Sequence, residues 1–428
     1  MRHSMLSAAR IAAAVTLGAA TAGGQSIAAR VAAAGQGEVR MSFATRADAC
    51  GDGGSMIGIG DSFMMNSTSE FQGHWTSTSC RHGPARVAID VGPSGVTTVR
   101  THIGGSWSEG SGKVTDLGTV AAPAAAAYFL DLAEKSDAAG ARNILMPAIV
   151  ADSADIAPRL LALGQRTSAS TEMRRTAIKW TGILGDASVV GPLTALAKSG
   201  EDGKKSVAEA AVFALSQVRG NAGVPALIDI AHNGTSIRLR SQAVFWLGQS
   251  GDDRARREVR AIANDAGTPS DVREKAVFAL GHSDETTTED LRFLRDLFGR
   301  VDDDRIRNQI LMAMAQSDDN DARKWVLSIA RDENAPVEAR KKAIFWAGQG
   351  DTPTADIAAF YDAISNETLK EHTIFVLSQR DDKAATDKLL AIVHGNGDPR
   401  LRKKALFWLG QKDDPAVTKA VTDLVVGP

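Results

Sequence analysis

Ala243-Val244-Phe245-Trp246-Leu247-Gly248-Gln249 returns almost unchanged as Ala276-Val277-Phe278-Ala279-Leu280-Gly281-His282, as Ala343-Ile344-Phe345-Trp346-Ala347-Gly348-Gln349 and as Ala405-Leu406-Phe407-Trp408-Leu409-Gly410-Gln411. Weaker copies run through Ala177-Ile178-Lys179-Trp180, Ala211-Val212-Phe213-Ala214-Leu215, Ile310-Leu311-Met312-Ala313-Met314-Ala315-Gln316 and Thr373-Ile374-Phe375-Val376-Leu377-Ser378-Gln379. Counted from Lys179 through the aligned Phe or Met, the intervals are 34, 32, 33, 34, 33, 30 and 32 residues, and a divergent copy fits at Met146, 33 residues before Lys179. Self-similarity at such a period is the mark of a solenoid, in which each copy buries its apolar face against the next. The expected fold is mainly α: a solenoid of about nine two-helix repeats over residues 121–428, preceded by a small β domain over 38–118.

Each period holds two helices of about 12 residues and two turns. The first helix is apolar nearly all round in its C-terminal half, as in Ala243 to Gly248, which suits a helix sandwiched between copies. Its large positions are therefore expected in the repeat core: Phe213, Phe245, Trp246, Phe278, Met312, Phe345, Trp346, Phe375, Phe407 and Trp408. Asp252-Asp253, Asp318-Asp319, Asp381-Asp382 and Asp413-Asp414 follow, placed to cap the second helix. That second helix is amphipathic: after Asp382, Leu389, Leu390, Ile392 and Val393 make an apolar side while Lys383, Asp387 and Lys388 stay polar. Its repeated polar side is the expected binding surface. Gln217, Gln249, Gln316, Gln349, Gln379 and Gln411 are expected to satisfy carbonyls at successive helix ends.

Arg240, Arg273, Arg340 and Arg402 each stand three residues before the Ala of a copy, giving Arg-x-x-Ala-x-Phe-(Trp/Ala)-(Leu/Ala)-Gly. The pattern resembles the HEAT repeats, particularly the short-repeat branch that includes bilin-lyase-like proteins. The resemblance implies helical hairpins, an Asp–Arg ladder between neighbours, and second helices lining a surface that grips a partner. The period is shorter than the usual HEAT repeat of roughly 40 or more residues, and the recurrent Trp and Gln are not part of the general pattern.

The region 38–118 alternates instead with period two: Val39, Met41 and Phe43; Val87, Ile89 and Val91; then the turn Gly92-Pro93-Ser94-Gly95 before Val96 to Ile103. A domain of this size has a marginal core. Cys50 and Cys80, the chain's two cysteines, both fall in it and are expected to pair. Closing that loop stabilises by roughly 3–4 kcal/mol on the chain-entropy model. A metal site of Cys50, His74, Cys80 and His82 is one alternative, though the spacing matches no familiar zinc pattern, and two free thiols are the other.

Arg2, His3 and Arg10 precede the apolar run Ile11 to Gly18, and Ala20-Thr21-Ala22 and Ala32-Ala33-Ala34 offer small-residue cleavage sites. A signal peptide over 1–34, and so an exported protein of the periplasm or extracellular space, is the expectation; an organelle transit peptide is the alternative. No later stretch approaches the roughly 20 apolar residues of a membrane span. The 49 basic and 51 acidic residues nearly cancel, which gives no field favouring nucleic acid.

Gly60-Asp61-Ser62-Phe63 resembles the nucleophile block of GDS-type esterases and lipases, and Asp229-Ile230-Ala231-His232 has the spacing of their Asp-x-x-His pair. The pair lies inside a repeat helix, and a domain this short lacks the α/β sheet on which those enzymes build an oxyanion hole. With no metal-binding or phosphate-binding motif either, no cofactor and no catalysis are expected. The function expected is an exported scaffold binding a protein partner through the face of the array. The alternatives are a structural or assembly protein of the cell envelope and a bilin-lyase-like enzyme.

Overall fold

The computed structural model describes residues 25–412 except 61–62, 66–69, 73–79, 109–111, 137–140, 154, 201–205 and 283–285. The chain divides into two compact units, one of residues 1–135 with 142–154, the other of residues 136–141 with 155–428. After the strands, helix resumes at Ala122, but the compact helical unit begins later: the helix containing Met146 groups with the strands.

The first unit opens with α1 (Ile27–Ala34), continues through β1 (Gly37–Phe43), β2 (Ala49–Gly51), β3 (Ile57–Ile59), β4 (Phe63–Met65), β5 (Glu70–Gln72), β6 (Ala85–Gly92), β7 (Gly95–Ile103) and β8 (Val114–Thr119), and closes with α2 (Ala122–Lys135) and α3 (Ala141–Val150). One sheet has the order β7-β6-β1-β8 and the other β2-β3-β4-β5. Val39, Met41 and Phe43 are buried at alternate positions of β1, and Val39 pairs opposite Ile89 and Met41 opposite Val87. The β6–β7 hairpin turns at Gly92 to Gly95, where Gly95 takes φ +113°, open to glycine at little cost. Cys50 is bonded to Cys80, with Cα atoms 5.4 Å apart. The rival metal set is not assembled: His82 Nδ1 lies 2.9 Å from the Ala49 carbonyl, and His74 is outside the described residues.

α1 is built into this unit. Ser26 caps it, Ile27, Val31 and Ala34 are buried, Lys113 Nζ donates to the Ala34 carbonyl at 2.6 Å, and Arg30 donates to that of Leu117 at 2.6 Å. Ala32-Ala33-Ala34 is thus the last turn of a packed helix. Ala20-Thr21-Ala22 and the apolar run before it lie outside the described residues.

The second unit runs α4 (Ala157–Gln165); then the pairs α5 (Thr171–Leu184) and α6 (Val190–Ala197), α7 (Val207–Gln217) and α8 (Val224–Asn233), α9 (Ile237–Gly248) and α10 (Asp253–Asn264), α11 (Ser270–Gly281) and α12 (Thr288–Phe298); then α13 (Asp304–Ala315) and α14 (Asn320–Arg331), α15 (Val337–Gln349) and α16 (Thr354–Ala363), α17 (Glu367–Ser378) and α18 (Lys383–His394); and last α19 (Pro399–Leu409). Odd-numbered first helices pack each on the next, from α5 to α19, and each also packs on its neighbouring second helices.

Three local devices repeat along it. Asp252, Asp319 and Asp382 cap α10, α14 and α18 by accepting from the amides of Ala255, Ala322 and Ala385 at 3.2, 2.8 and 2.9 Å. Each recurrent Arg reaches back to the end of the preceding second helix: the Nε of Arg174, Arg240, Arg273, Arg340 and Arg402 donates to the carbonyl of Gly164, Ala231, Ala263, Ala330 and Val393 at 2.9–3.1 Å. A guanidinium there satisfies a helix-end carbonyl and sits at the negative end of the dipole. The side chains that serve helix ends are therefore these arginines; Gln249, Gln316, Gln349, Gln379 and Gln411 are exposed. Third, Gly182, Gly248, Gly281 and Gly348 let consecutive first helices approach closely: a Cβ on each would fall 2.1–2.5 Å from Ala214, Ala279, Ala313 or Val376.

Candidate binding face

On α9 the residues turned into the core are Leu239, Ala243, Val244 and Leu247, and on α15 they are Arg340, Ala343, Ile344 and Ala347. Phe and Trp two and three places after the Ala are rotated away from that stripe. Accordingly Phe213, Phe245, Trp246, Phe278, Met312, Phe345, Trp346, Phe375 and Trp408 are only partly buried, and Phe407 is 55% exposed. Of the ten positions expected in the core, Trp246, Trp346, Phe375 and Trp408 pack against it while keeping an edge open to solvent, and Phe407 lies mostly outside it, because Ala, Val, Ile and Leu already fill the space between the helix layers. Trp180 alone of the four recurrent tryptophans is enclosed, at 1% exposure.

These side chains form a row across the first helices. The rings of Phe213 and Trp246 lie 5.2 Å apart edge to face, those of Phe245 and Phe278 6.4 Å, and those of Phe375 and Trp408 5.3 Å. His282 stacks on Phe278 at 4.4 Å, with its Nε2 2.7 Å from Gln316 Oε1 of the next copy. Lysine accompanies the rings: the Lys275 ammonium lies 4.6 Å from the Phe278 centroid and 5.9 Å from that of Phe245. Such cation–π contacts hold each charge beside an apolar surface. His372, between Phe345 and Phe375, is held below the usual histidine range by burial and by the nearby Lys341 charge.

Two depressions open on this face. One, of about 700 Å³, lies between α9 and α11 and is lined by Ile237, Phe245, Trp246, Gln242, Asp271 and Lys275 among others. The second, of about 330 Å³, lies between α17 and α19 beside His372, Phe375, Lys404 and Trp408.

The polar side chains of the second helices pair from one copy to the next, as those of the first helices also do: Lys198 with Asp229, His232 with Glu258 at 2.6 Å, Arg256 and Arg260 with Asp290, and Lys388 with Asp362. Asp290 is fully buried; burial pushes its carboxyl up, but the Thr287 hydroxyl and amide and the Arg260 guanidinium outweigh that and hold it low. Asp229 and His232, the esterase-like pair, are thereby members of this ladder, and Asp61 and Ser62 lie outside the described residues. Among the described residues no group of His, Cys, Asp and Glu is arranged to hold a metal ion, and no helix is long and apolar enough to cross a membrane.

One signal in the sequence marks the exposed face: Lys341, Lys342 and Lys404 stand four residues before Phe345, Trp346 and Trp408. Residues four apart share a helix face, so a lysine there denies the aromatic a dry core.

Antiparallel helical hairpins stacked in register, with equivalent contacts at each step, define an α-solenoid. Residues 224–315, from α8 to the end of α13, match the family model described as HEAT repeats. A search of curated proteins finds no match. Similar solved structures include human deoxyhypusine hydroxylase in complex with glycerol, with 18% identity over 56% of this chain and 91% of that one at a TM-score of 0.27. The complex of CpcE and CpcF of phycocyanin lyase from a Nostoc species has 16% identity over 58% of this chain and 94% of that one, TM-score 0.28. Lipovitellin has 13% identity over 78% of this chain and 42% of that one, TM-score 0.46.

Proposed function

We propose that the chain is an exported, non-catalytic scaffold that binds a protein partner through the aromatic face of its first helices. The observation that supports the reading is the row of partly buried rings from Phe213 to Trp408, each open to solvent on one edge, with Phe407 at 55% and the neighbouring Ile237 at 46% exposure. Aromatic side chains bring large contact area at low entropic cost, which makes them the usual anchors of protein interfaces. Charges are engaged between copies on both sets of helices, so what sets the first helices apart is their recurrent row of aromatic side chains. This reverses the assignment of faces expected from helix amphipathicity. Export, to the periplasm or beyond the cell, is supported by the charged start and apolar run of the leader and by the Cys50–Cys80 bond, a cross-link that persists in oxidising compartments.

The test is capture of a partner by the immobilised chain from the extracytoplasmic fraction of its own cells, compared across surface variants. Phe245→Ser and Phe407→Ser should lose the captured protein, and a second-helix variant, Asp387→Lys with Lys388→Glu, should keep it. Loss in the second-helix variant alone would move the binding surface back to that side.

A further inference from the structure

We propose that the depression between α9 and α11 is a peptide site that takes an acidic segment bearing a bulky apolar side chain. The inference rests on the reading above, that the first-helix face binds protein, and adds the chemistry of the occupant. Three independent features converge there.

The first is apolar surface. Ile237 is 46% exposed, and with Phe245 and Trp246 it walls a space of about 700 Å³, within the size range of sites that enclose a small ligand or side chain. The second is an unsatisfied amide. Gln242, in the same wall, has its Oε1 buried with no hydrogen-bond partner among the described residues. A buried polar atom is costly unless paired, and rotation of the Gln242 side chain into the depression would bring Oε1 to a peptide N–H. With the side-chain amide turned over, its N–H would meet a peptide carbonyl instead, so a peptide bond complements either orientation. A hydrocarbon chain complements neither. The third is a cation. Of the charged groups lining the space, Arg238 pairs with Glu209 and Asp271 with Arg305 at 2.5 Å, both across to neighbouring first helices. Lys275 rests on two rings, with no carboxylate within ion-pair distance among the described residues. A carboxylate on the occupant would complete it as a charge-assisted hydrogen bond.

The experiment is fluorescence anisotropy of the full chain with two short labelled peptides, one alternating glutamate with leucine and one alternating lysine with leucine. The parent should bind the glutamate peptide and not the lysine peptide. Lys275→Glu should weaken the glutamate peptide about tenfold, the scale of one lost charged contact, and admit the lysine peptide. Ile237→Asp should abolish binding, the residue being exposed enough for the fold to survive. Gln242→Leu should weaken the peptide while raising the melting temperature, because it removes an unsatisfied buried group; a merely structural glutamine would not divide the two readouts in this way. Preference of the parent for the lysine peptide would overturn the acidic occupant and leave the aromatic face standing. Glutamate-peptide binding indifferent to Lys275→Glu, Ile237→Asp and Gln242→Leu alike would overturn the site. Binding of neither peptide would overturn the inference, with partner capture still reporting on the face. So would self-association in sedimentation that Ile237→Asp removes, since a second copy of the chain would then be the occupant.

Discussion

Gly248 meets Ala279 across the junction of α9 and α11: a Cβ placed on Gly248 would stand 2.5 Å from the Cβ of Ala279. Alanine at a helix position ordinarily stabilises relative to glycine by about 1 kcal/mol. Here the sign should reverse, since overpacking a fitted contact costs about 1–3 kcal/mol and both helices would have to shift. Gly248→Ala should therefore unfold at lower denaturant concentration than the parent. A gain in stability would mean that the first helices are spaced more loosely than described.

Arg340 is buried, with its Nε 2.9 Å from the Ala330 carbonyl. Arg340→Met keeps much of the volume and removes the donor, leaving a helix-end carbonyl unpaired. A loss of about 1.5–3 kcal/mol is expected, the range for hydrogen bonds to charged groups. Chemical denaturation of the variant beside Arg240→Met, whose guanidinium makes the equivalent bond, should give losses of similar size.

Phe407→Ala should cost well under the 3–5 kcal/mol of a buried phenylalanine, because more than half of the side chain already meets water. Leu247→Ala, at 1% exposure on the core side of α9, should cost about 2–5 kcal/mol. Paired thermal melts separate the two sides of the first helix. A Phe407→Ala chain as unstable as Leu247→Ala would return the aromatic row to the core.

Asp252 is held at about 2 by its hydrogen bonds to the Arg254 side chain and to the backbone amides of Ala255 and Arg254, and Asp303 and Asp382 at other helix starts are lowered in the same direction. A carboxyl whose folded value lies below its unfolded value, about 4, contributes fully above pH 4 and loses that contribution as pH falls toward 2. Melting temperature should decline across that window. Asp252→Asn keeps a capping oxygen without the titration, so its decline should be shallower.

The mature chain should begin before Ile27. Removal of residues through Ala34 would strip a helix whose Ile27, Val31 and Ala34 are buried and would leave Lys113 without its carbonyl partner. N-terminal sequencing of native protein reads the start directly. A chain beginning after Ala34 would overturn the place given to α1.

How much of this was legible depends on what repeats. The hairpin array, its Asp caps and the Cys50–Cys80 bond follow from the period, from the polar residues at each turn and from the confinement of both cysteines to one small β region. The facing of the rings does not follow from hydrophobicity alone. Val244 and Phe245 are both apolar neighbours, and which one meets the core depends on the smaller residues that let α9 and α11 close on each other. Likewise Arg340 reads as a charge in a basic run, Arg340-Lys341-Lys342, and only three-dimensional placement separates the buried guanidinium from the lysines beside it. The α9–α11 depression draws on residues from two copies, so no single repeat encodes it.

The glycine junctions also bear on how such a chain can change length. Gly248 against Ala279 and Gly281 against Ala313 are the same joint used twice in succession. A duplicated or deleted stretch of one period would join on the same surfaces as before, with no distant segment left to find a new partner. The array's reach can then be lengthened or shortened by whole copies without redesigning its core.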